Sequence, residues 1–306
     1  MELTKNDYKY IQTKLDKETK EIFQNIWKKY GKYIKGKEKL KVIEDRINSI
    51  NETRGIVIVD EPNEADIQKF GGVENVPPGH GGRGKSDGKI HLYPYSKELE
   101  NADSIEKLIE WYKREIIVHE IFHFYIQPDL YDISDTKNHG DDAWFGHRLT
   151  EGIVETYTQK YMKENNLGTS QTGYLEELIL VDDVINDLKK QNKSAEEIDD
   201  ILMNCNQIEI FDNCINGEYI KNKYICKHKV HIEISKLLNK VYQDLGYDKK
   251  SIAKYLGSAN RQTNFELLYG ELINFFESNN LDTNKIEEIF SEYNEKYSNR
   301  EVSKQK

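Results

Sequence analysis

The chain has 306 residues, 37% of them hydrophobic and 32% charged, and a formal net charge of −10. A chain of this length can bury a core without disulfide bonds, and because its three cysteines cannot all pair with one another we expect reduced thiols. The acidic balance argues against nucleic-acid binding, and the sequence has no apolar run long enough to span a bilayer.

Two features of the sequence bear on location and partners. The N-terminal residues have no apolar segment of the signal-peptide kind, which slightly favours a cytoplasmic location. A secreted chain whose signal peptide has been removed would look the same. Lysines cluster between Lys28 and Lys41, but acidic and tyrosine residues are interleaved with them, so we interpret this stretch as a solvated helix face.

The first third of the chain mixes helical and extended patterns. Residues 5–50 have the pattern of two charged helices, interrupted at Gly31 and Gly36. The β-branched run at 55–60 predicts a short buried strand. Residues 71–88 are rich in glycine and proline, which predicts a loop.

A second strand and a long helix come next. Residues 89–95 alternate in polarity, which predicts a strand, and Pro94 indicates a sheet edge because proline cannot donate to a ladder. Apolar residues then recur at helical spacing. Asp103 and Glu106 are suited to a capping box at the start of this helix, and Pro128 ends it.

Helices dominate the remainder. Residues 129–146 read as an irregular acidic loop, and a second helix is predicted from about residue 146 to 165, with Gly168 stopping it. From residue 174 onward the pattern is helical, with a polar interruption around 204–224.

The order of elements predicts an α+β fold: a small mixed sheet with an edge strand beside active-site helices, followed by a mainly α-helical C-terminal half. We expect an N-terminal helical segment, an α+β core with both candidate metal motifs and a helical C-terminal subdomain. These three regions are residues 1–54, 55–168 and 169–306.

The strongest chemical signal is the motif His119-Glu-Ile-Phe-His123. Two histidines four residues apart lie one above the other on a helix face, where their imidazoles can hold one Zn²⁺. Glu120 lies beside them and can accept a proton from a water molecule that the metal activates. The alternative, two histidines buried in a helix without a metal, explains this combination less well.

A catalytic zinc site needs a third protein ligand and one open position. Asp129 is a candidate, but the chain would have to turn sharply to bring its carboxylate to the metal. Glu151 and Glu155 are better candidates, because they lie one turn apart on the second helix. One can bind zinc while the other accepts the free N–H of a ligand histidine. Gly152 between them suggests a close approach of the helices or of the metal.

At these residues the sequence resembles the gluzincin metallopeptidases, the thermolysin-like clan, over about a third of the chain. The resemblance implies a zinc cofactor and a peptide or protein substrate. It implies that His119, His123 and Glu151 bind zinc, that Glu120 is the general base and that Glu155 supports His119. It also implies that a peptide substrate pairs as an added strand with an edge strand, for which residues 89–95 are suited.

The resemblance further implies a tyrosine or histidine that stabilises the oxyanion, but no motif identifies it. Tyr174 is our first choice, because it opens the helix that follows and related sequences often have an aromatic residue there. Tyr157, His147 and His231 are the alternatives.

Other motifs carry less weight. Residues 79–86 match the P-loop pattern, but a strand after them is the wrong context for phosphate binding, and a flap beside the cleft fits better. A set of cysteines and histidines has no common zinc-finger spacing. This Cys/His set consists of Cys214, Cys226, His228 and His231. A loop rich in oxygen ligands does not match the EF-hand spacing; its residues are Asp132, Ser134, Asp135, Asn138, Asp141 and Asp142.

The sequence therefore predicts a zinc-dependent metallopeptidase that uses Glu120 as its general base. Three alternatives remain: a zinc-binding interaction protein without catalysis, a zinc hydrolase of a non-peptide amide, and a P-loop nucleotide binder. Neither the cleavage specificity nor the oligomeric state can be read from the sequence.

Overall fold

Helices dominate the part of the chain that the computed structural model describes, and one small sheet accompanies them. The described residues are 3–34, 55–73, 76–80, 89–96, 99, 103–126, 136–168, 174–204, 207–246 and 265–298. The strands are β1 (Ile56–Ile58), β2 (Gly79–His80) and β3 (Ile90–Leu92). The helices are α1 (Lys5–Tyr30), α2 (Glu64–Phe70), α3 (Ile105–Tyr112), α4 (Val118–Ile126), α5 (Thr136–Glu164), α6 (Leu175–Lys190), α7 (Ala195–Asn204), α8 (Gln207–Asp212), α9 (Gly217–Asp244), α10 (Phe265–Ser278) and α11 (Asn284–Tyr293).

The sheet is mixed, and its strand order is β1-β3-β2. Strand β3 pairs in parallel with β1, Ile56 opposite Ile90, and antiparallel with β2, Gly79 opposite Leu92. The prediction that this strand lies at a sheet edge was therefore wrong. Pro94 follows the paired residues, so its missing N–H removes no hydrogen bond from the ladder.

The outer side of β1 is covered by a side chain of α1. The amide nitrogen of Gln12 donates to the carbonyl oxygen of Ile56 at 2.6 Å, and its amide oxygen accepts from the backbone N–H of Ile58 at 3.0 Å. Gln12 thus satisfies the backbone groups that an edge strand would otherwise expose.

The predicted long helix is present as α3 and α4, joined by a π-helical turn at Lys113–Ile117. Its N-cap is Ser104, whose hydroxyl accepts from the backbone N–H of Lys107 at 3.2 Å. The predicted capping box of Asp103 and Glu106 is therefore replaced by a cap one residue further along.

Helix α5 is longer than its sequence pattern suggests. It begins at Thr136, within the stretch predicted as an irregular loop, and continues to Glu164. Once a helix has formed, each further residue adds a hydrogen bond at small cost, so weak helix formers can extend it. Asn166 and Gly168 follow with positive φ angles of 55° and 86°, which fits the predicted stop.

An aromatic cluster joins α1, α4 and α5. Tyr30 meets Phe122 and Tyr157 edge to face, with ring centroids 5.6 and 5.3 Å apart. The hydroxyl of Tyr125 donates to the backbone oxygen of Phe23 at 3.0 Å. These contacts pack α4 against α1 and α5.

Two compact units divide the chain. The first comprises Met1–Thr172 and Lys193–Gln207, and the second comprises Gly173–Asn192 and Ile208–Lys306. This division differs from the predicted one at residues 54 and 168. Residues of the predicted N-terminal segment belong to the first unit, and α7 also joins that unit, where it contacts α4.

In the second unit, α9, α10 and α11 share a hydrophobic core that includes Leu238, Leu272 and Phe290. The carboxylate of Asp187 on α6 fixes the turn before α9. It accepts from the backbone N–H of Ile215 at 2.7 Å and from the side-chain amide of Asn216 at 2.6 Å.

Among the described residues, none of the helices combines the length and the apolar character that crossing a membrane requires. This agrees with the expectation from the sequence.

Candidate metal centre

Helix α4 carries His119, Glu120 and His123 in the unit built around the sheet. The turn before it has π-helical geometry, with the backbone N–H of Val118 bonded to the carbonyl of Lys113 five residues earlier. Such turns are frequent at functional sites because they rotate the following side chains relative to a regular helix. His119 is buried, with 8% of its surface exposed.

Helix α5 lies against α4 and faces it with two buried carboxylates. Glu151 and Glu155 are 6% and 3% exposed, and their spacing of four residues puts them on one side of the helix. Burying two carboxylates is costly unless each has partners of opposite charge or hydrogen-bond donors.

Three side-chain atoms converge between these helices. Nε2 of His119 lies 3.1 Å from Nε2 of His123, and Oε2 of Glu151 lies 3.3 Å from the first and 3.4 Å from the second. Ligand atoms at zinc bonding distance in a tetrahedral site are about 3.3–3.5 Å apart. The triangle therefore has the size of one face of a zinc tetrahedron.

The hydrogen bonding of Glu151 also indicates a metal site. Its Oε2 is buried and has no hydrogen-bond partner in the described part of the chain, although it faces both imidazoles. A buried carboxylate oxygen in this state needs a cation or a donor. The donor set of two nitrogens and one oxygen is one that catalytic zinc sites use, so these residues fit a zinc ion.

A second layer of contacts surrounds the triangle. Nδ1 of His119 lies 3.0 Å from Oε2 of Glu155. The other oxygen of that carboxylate accepts from the side-chain amide of Gln159 at 2.6 Å. Gln159 was not identified from the sequence, although its position one turn after Glu155 is a local signal for such a contact.

Burial and the neighbouring charges shift the pKa values of His119 and Glu151. Burial lowers the pKa of His119, but the adjacent carboxylates of Glu151 and Glu155 and the charge of Glu120 raise it to about 10. Burial raises the pKa of Glu151, whereas the neighbouring histidines lower it well below its ordinary range. A metal ion would supply the positive charge that these buried carboxylates require.

The four candidates for oxyanion stabilisation lie in different places. Tyr174 is the N-cap residue of α6 and His231 is buried on α9, both in the second unit. The hydroxyl of Tyr157 donates to the carboxylate of Asp199 at 2.7 Å, so this hydroxyl already has a hydrogen-bond partner. His147 is half exposed, and its Nδ1 lies 3.8 Å from Oε1 of Glu151.

Several other predicted features fall partly or wholly outside the described residues. These include Asp129, residues 81–88 of the P-loop-like segment, and Asp132, Ser134 and Asp135 of the oxygen-rich loop. Gly79 and His80 form β2 and a strand follows at Ile90, which is not the strand-to-helix arrangement of a P-loop. Over the described residues, His119, His123 and Glu151 form the group of possible metal ligands, and the Cys/His set does not form one.

Part of the basic stretch lies on α1 and the turn after it. Lys29 pairs with Glu164, and Lys32 pairs with Glu196, both at the surface. These contacts are those expected of a solvated helix face.

Comparison with protein-family models, with curated proteins and with solved structures finds no match to this chain.

Proposed function

We propose that this chain is a zinc-dependent metallopeptidase of the gluzincin type, with a peptide or protein substrate. The observation that carries the proposal is the triangle of His119, His123 and Glu151, whose edges suit tetrahedral zinc. Two further features support it: Glu120 lies beside the triangle on α4, and Glu155 contacts the far nitrogen of His119.

Each residue has a distinct task in this proposal. Bound zinc would polarise the scissile carbonyl and make water nucleophilic at neutral pH. Glu155 holds the proton of His119 on Nδ1, so that Nε2 keeps its lone pair. The carboxylate of Glu120 accepts a proton from the attacking water and transfers it to the leaving nitrogen.

Residues 90–92 are not the open edge strand that the resemblance implies for substrate pairing. Strand β3 pairs with a neighbour on each side over Ile90–Leu92, so these residues have no open edge to which a peptide could add. His147 becomes a stronger candidate for oxyanion stabilisation than Tyr157, because it is half exposed and lies one turn from Glu151.

The test is the zinc content of the purified protein, wild type beside Glu151→Ala. We expect about one zinc per chain in the wild type and little in the variant, because two histidines alone bind zinc weakly. Glu164→Ala, on the same helix but exposed, is the matched control and should retain zinc.

Wild-type protein that takes up no zinc, even after zinc is added back, would contradict the proposal. Full zinc retention by Glu151→Ala would move the third ligand elsewhere, with Asp129 tested next. A peptide-library digest then distinguishes the functions: zinc without cleavage would favour an interaction protein, and cleavage of non-peptide amides alone would favour the other hydrolase.

A further inference from the structure

The carboxylate that contacts His119 is itself held by a side chain of its own helix. Glu151, Glu155 and Gln159 follow one another at intervals of four residues on α5, which places all three on one side of the helix. Helical side chains lean toward the N-terminus, so Gln159 reaches back toward Glu155. Its amide nitrogen donates to Oε1 of Glu155 at 2.6 Å. The row of polar side chains therefore continues one turn beyond the two carboxylates.

The two oxygens of Glu155 make different contacts. Oε2 lies 3.0 Å from Nδ1 of His119, while Oε1 accepts the hydrogen bond from Gln159. A carboxylate is planar, so a donor that fixes the position of one oxygen also fixes the position of the other. Glu155 is 3% exposed, and a hydrogen bond is stronger in such surroundings than in water. Gln159 therefore restrains the oxygen that contacts His119.

Gln159 provides this restraint without adding a charge. An amide group donates a hydrogen bond but carries no net charge, whereas a lysine at the same position would form an ion pair with the carboxylate. A carboxylate that accepts the free N–H of a ligand histidine makes that histidine a better ligand. An uncharged donor therefore orients Glu155 and leaves the whole of its charge to act on His119.

We propose that Gln159 is a positioning residue of the metal centre: as an uncharged donor it keeps Glu155 directed at His119 and so raises the affinity for zinc. It is not one of the three converging residues and acts through Glu155. This inference rests on the zinc site of the proposed function and extends that site by one residue.

The experiment measures the zinc affinity of the full chain by competition with a chelating dye. Gln159→Met keeps a side chain of similar length and removes the donor, so we expect zinc binding to weaken by about tenfold, as is typical for the loss of an outer contact. Gln191→Met is the matched control. This half-buried glutamine donates to the carbonyl of Asn213 at 2.9 Å in the second unit, and its loss should leave zinc affinity unchanged.

A double-mutant cycle separates positioning from a general loss of structure. Glu155→Ala has no carboxylate to orient, so adding Gln159→Met to it should cause no further loss of zinc affinity. The same tenfold loss in both backgrounds would show that Gln159 acts independently of Glu155, and it would overturn the proposal.

Gln159→Lys covers the case in which Gln159→Met does not fold. A lysine four residues after a glutamate is a favourable helical pair, so the melting temperature should not fall. Zinc affinity should nevertheless fall by at least about tenfold, because the added positive charge neutralises Glu155 and repels the metal ion. Glu164→Gln changes the net charge by the same amount at an exposed position of the same helix and should bind zinc as the wild type does.

The outcomes distinguish this inference from the proposed function. If the wild type binds zinc and either Gln159→Met or Gln159→Lys binds it equally well, the inference is overturned while the zinc site stands. If the wild type takes up no zinc, the proposed function fails, and the role of Gln159 fails with it.

Discussion

Glu155 determines which nitrogen of His119 faces the other two candidate ligands, His123 and Glu151. Its Oε2 lies 3.0 Å from Nδ1, so the imidazole proton is held there and Nε2 is left for a metal. Gln159 donates to the other oxygen and fixes the orientation of the carboxylate. A buried carboxylate with this arrangement would act on a bound metal through the histidine.

Glu155→Gln should therefore weaken zinc binding by about 10- to 100-fold without abolishing it. The glutamine retains an oxygen acceptor but lacks the charge that makes His119 a better ligand. Competition with a chelating dye measures the change. Glu164→Gln is the control, since that residue is exposed on the same helix. Wild-type zinc affinity in Glu155→Gln would show that the contact does not support metal binding.

Glu120→Gln separates metal binding from catalysis. We expect unchanged zinc content, because Glu120 is not one of the three converging residues. Peptide hydrolysis should fall by about a hundredfold to ten-thousandfold, as is typical when a general base is removed. Zinc analysis and a peptide-library digest of the same preparation test both parts. Cleavage at the wild-type rate would exclude Glu120 as the general base.

The sequence could predict this site only where its contacts are local or motif-encoded. The spacing of His119 and His123 is a helical repeat and can be read directly. The role of Glu151 rested on a resemblance, since 28 positions separate it from His123. The bond from Tyr157 to Asp199 could not be predicted, because it joins helices through tertiary packing that no local pattern records.

Among the helices, α9 begins where the chain passes very close to itself. A Cβ atom added at Gly217 would lie 2.2 Å from the backbone oxygen of Phe211, so only glycine fits without a shift of the chain. Gly270, inside α10, has no such neighbour within 4 Å. A side chain would therefore clash with the backbone at Gly217, whereas there is space for one at Gly270.

Gly217→Ala should destabilise the protein by about 1–3 kcal/mol, the usual cost of forcing atoms into filled space. Gly270→Ala should stabilise it by about 0.5–1 kcal/mol, because alanine loses less backbone entropy in a helix. Urea denaturation followed by circular dichroism measures both. If the two variants shifted stability in the same direction, the tight turn before α9 would have no energetic role.

The elements show where sequence patterns fail. The alternation in residues 89–95 correctly predicted a strand, but pairing partners come from distant segments, so its central position could not be predicted. The N-terminal part of α5 includes three residues of low helix propensity, Asn138, Gly140 and Asp141. Propensity is a weak guide when an adjoining helix is held by packing.

At the scale of the whole molecule, all three tryptophans of the sequence belong to the first unit. They are Trp27, Trp111 and Trp144. Tryptophan fluorescence therefore reports the unfolding of the unit that holds the ligand triangle.

Removal of zinc by a chelator should lower the fluorescence-detected melting temperature by about 5–10 °C if zinc was present at a hundred times its Kd. The cause is linkage: an ion that binds only the folded state stabilises that state. The Glu151→Ala variant is the control, because it should melt at the same temperature with and without chelator. A chelator that left the wild-type transition unchanged would count against a bound metal in this unit.

The path of the chain between the units has a consequence for synthesis. The chain leaves the first unit after Thr172, returns at Lys193 and leaves again after Gln207. On the returning segment, α7 brings Asp199 to the hydroxyl of Tyr157 and the ammonium of Lys160. A nascent chain that has emerged only to residue 172 therefore lacks part of its own core. The first unit cannot complete its folding on the ribosome until a portion of the second has also been made.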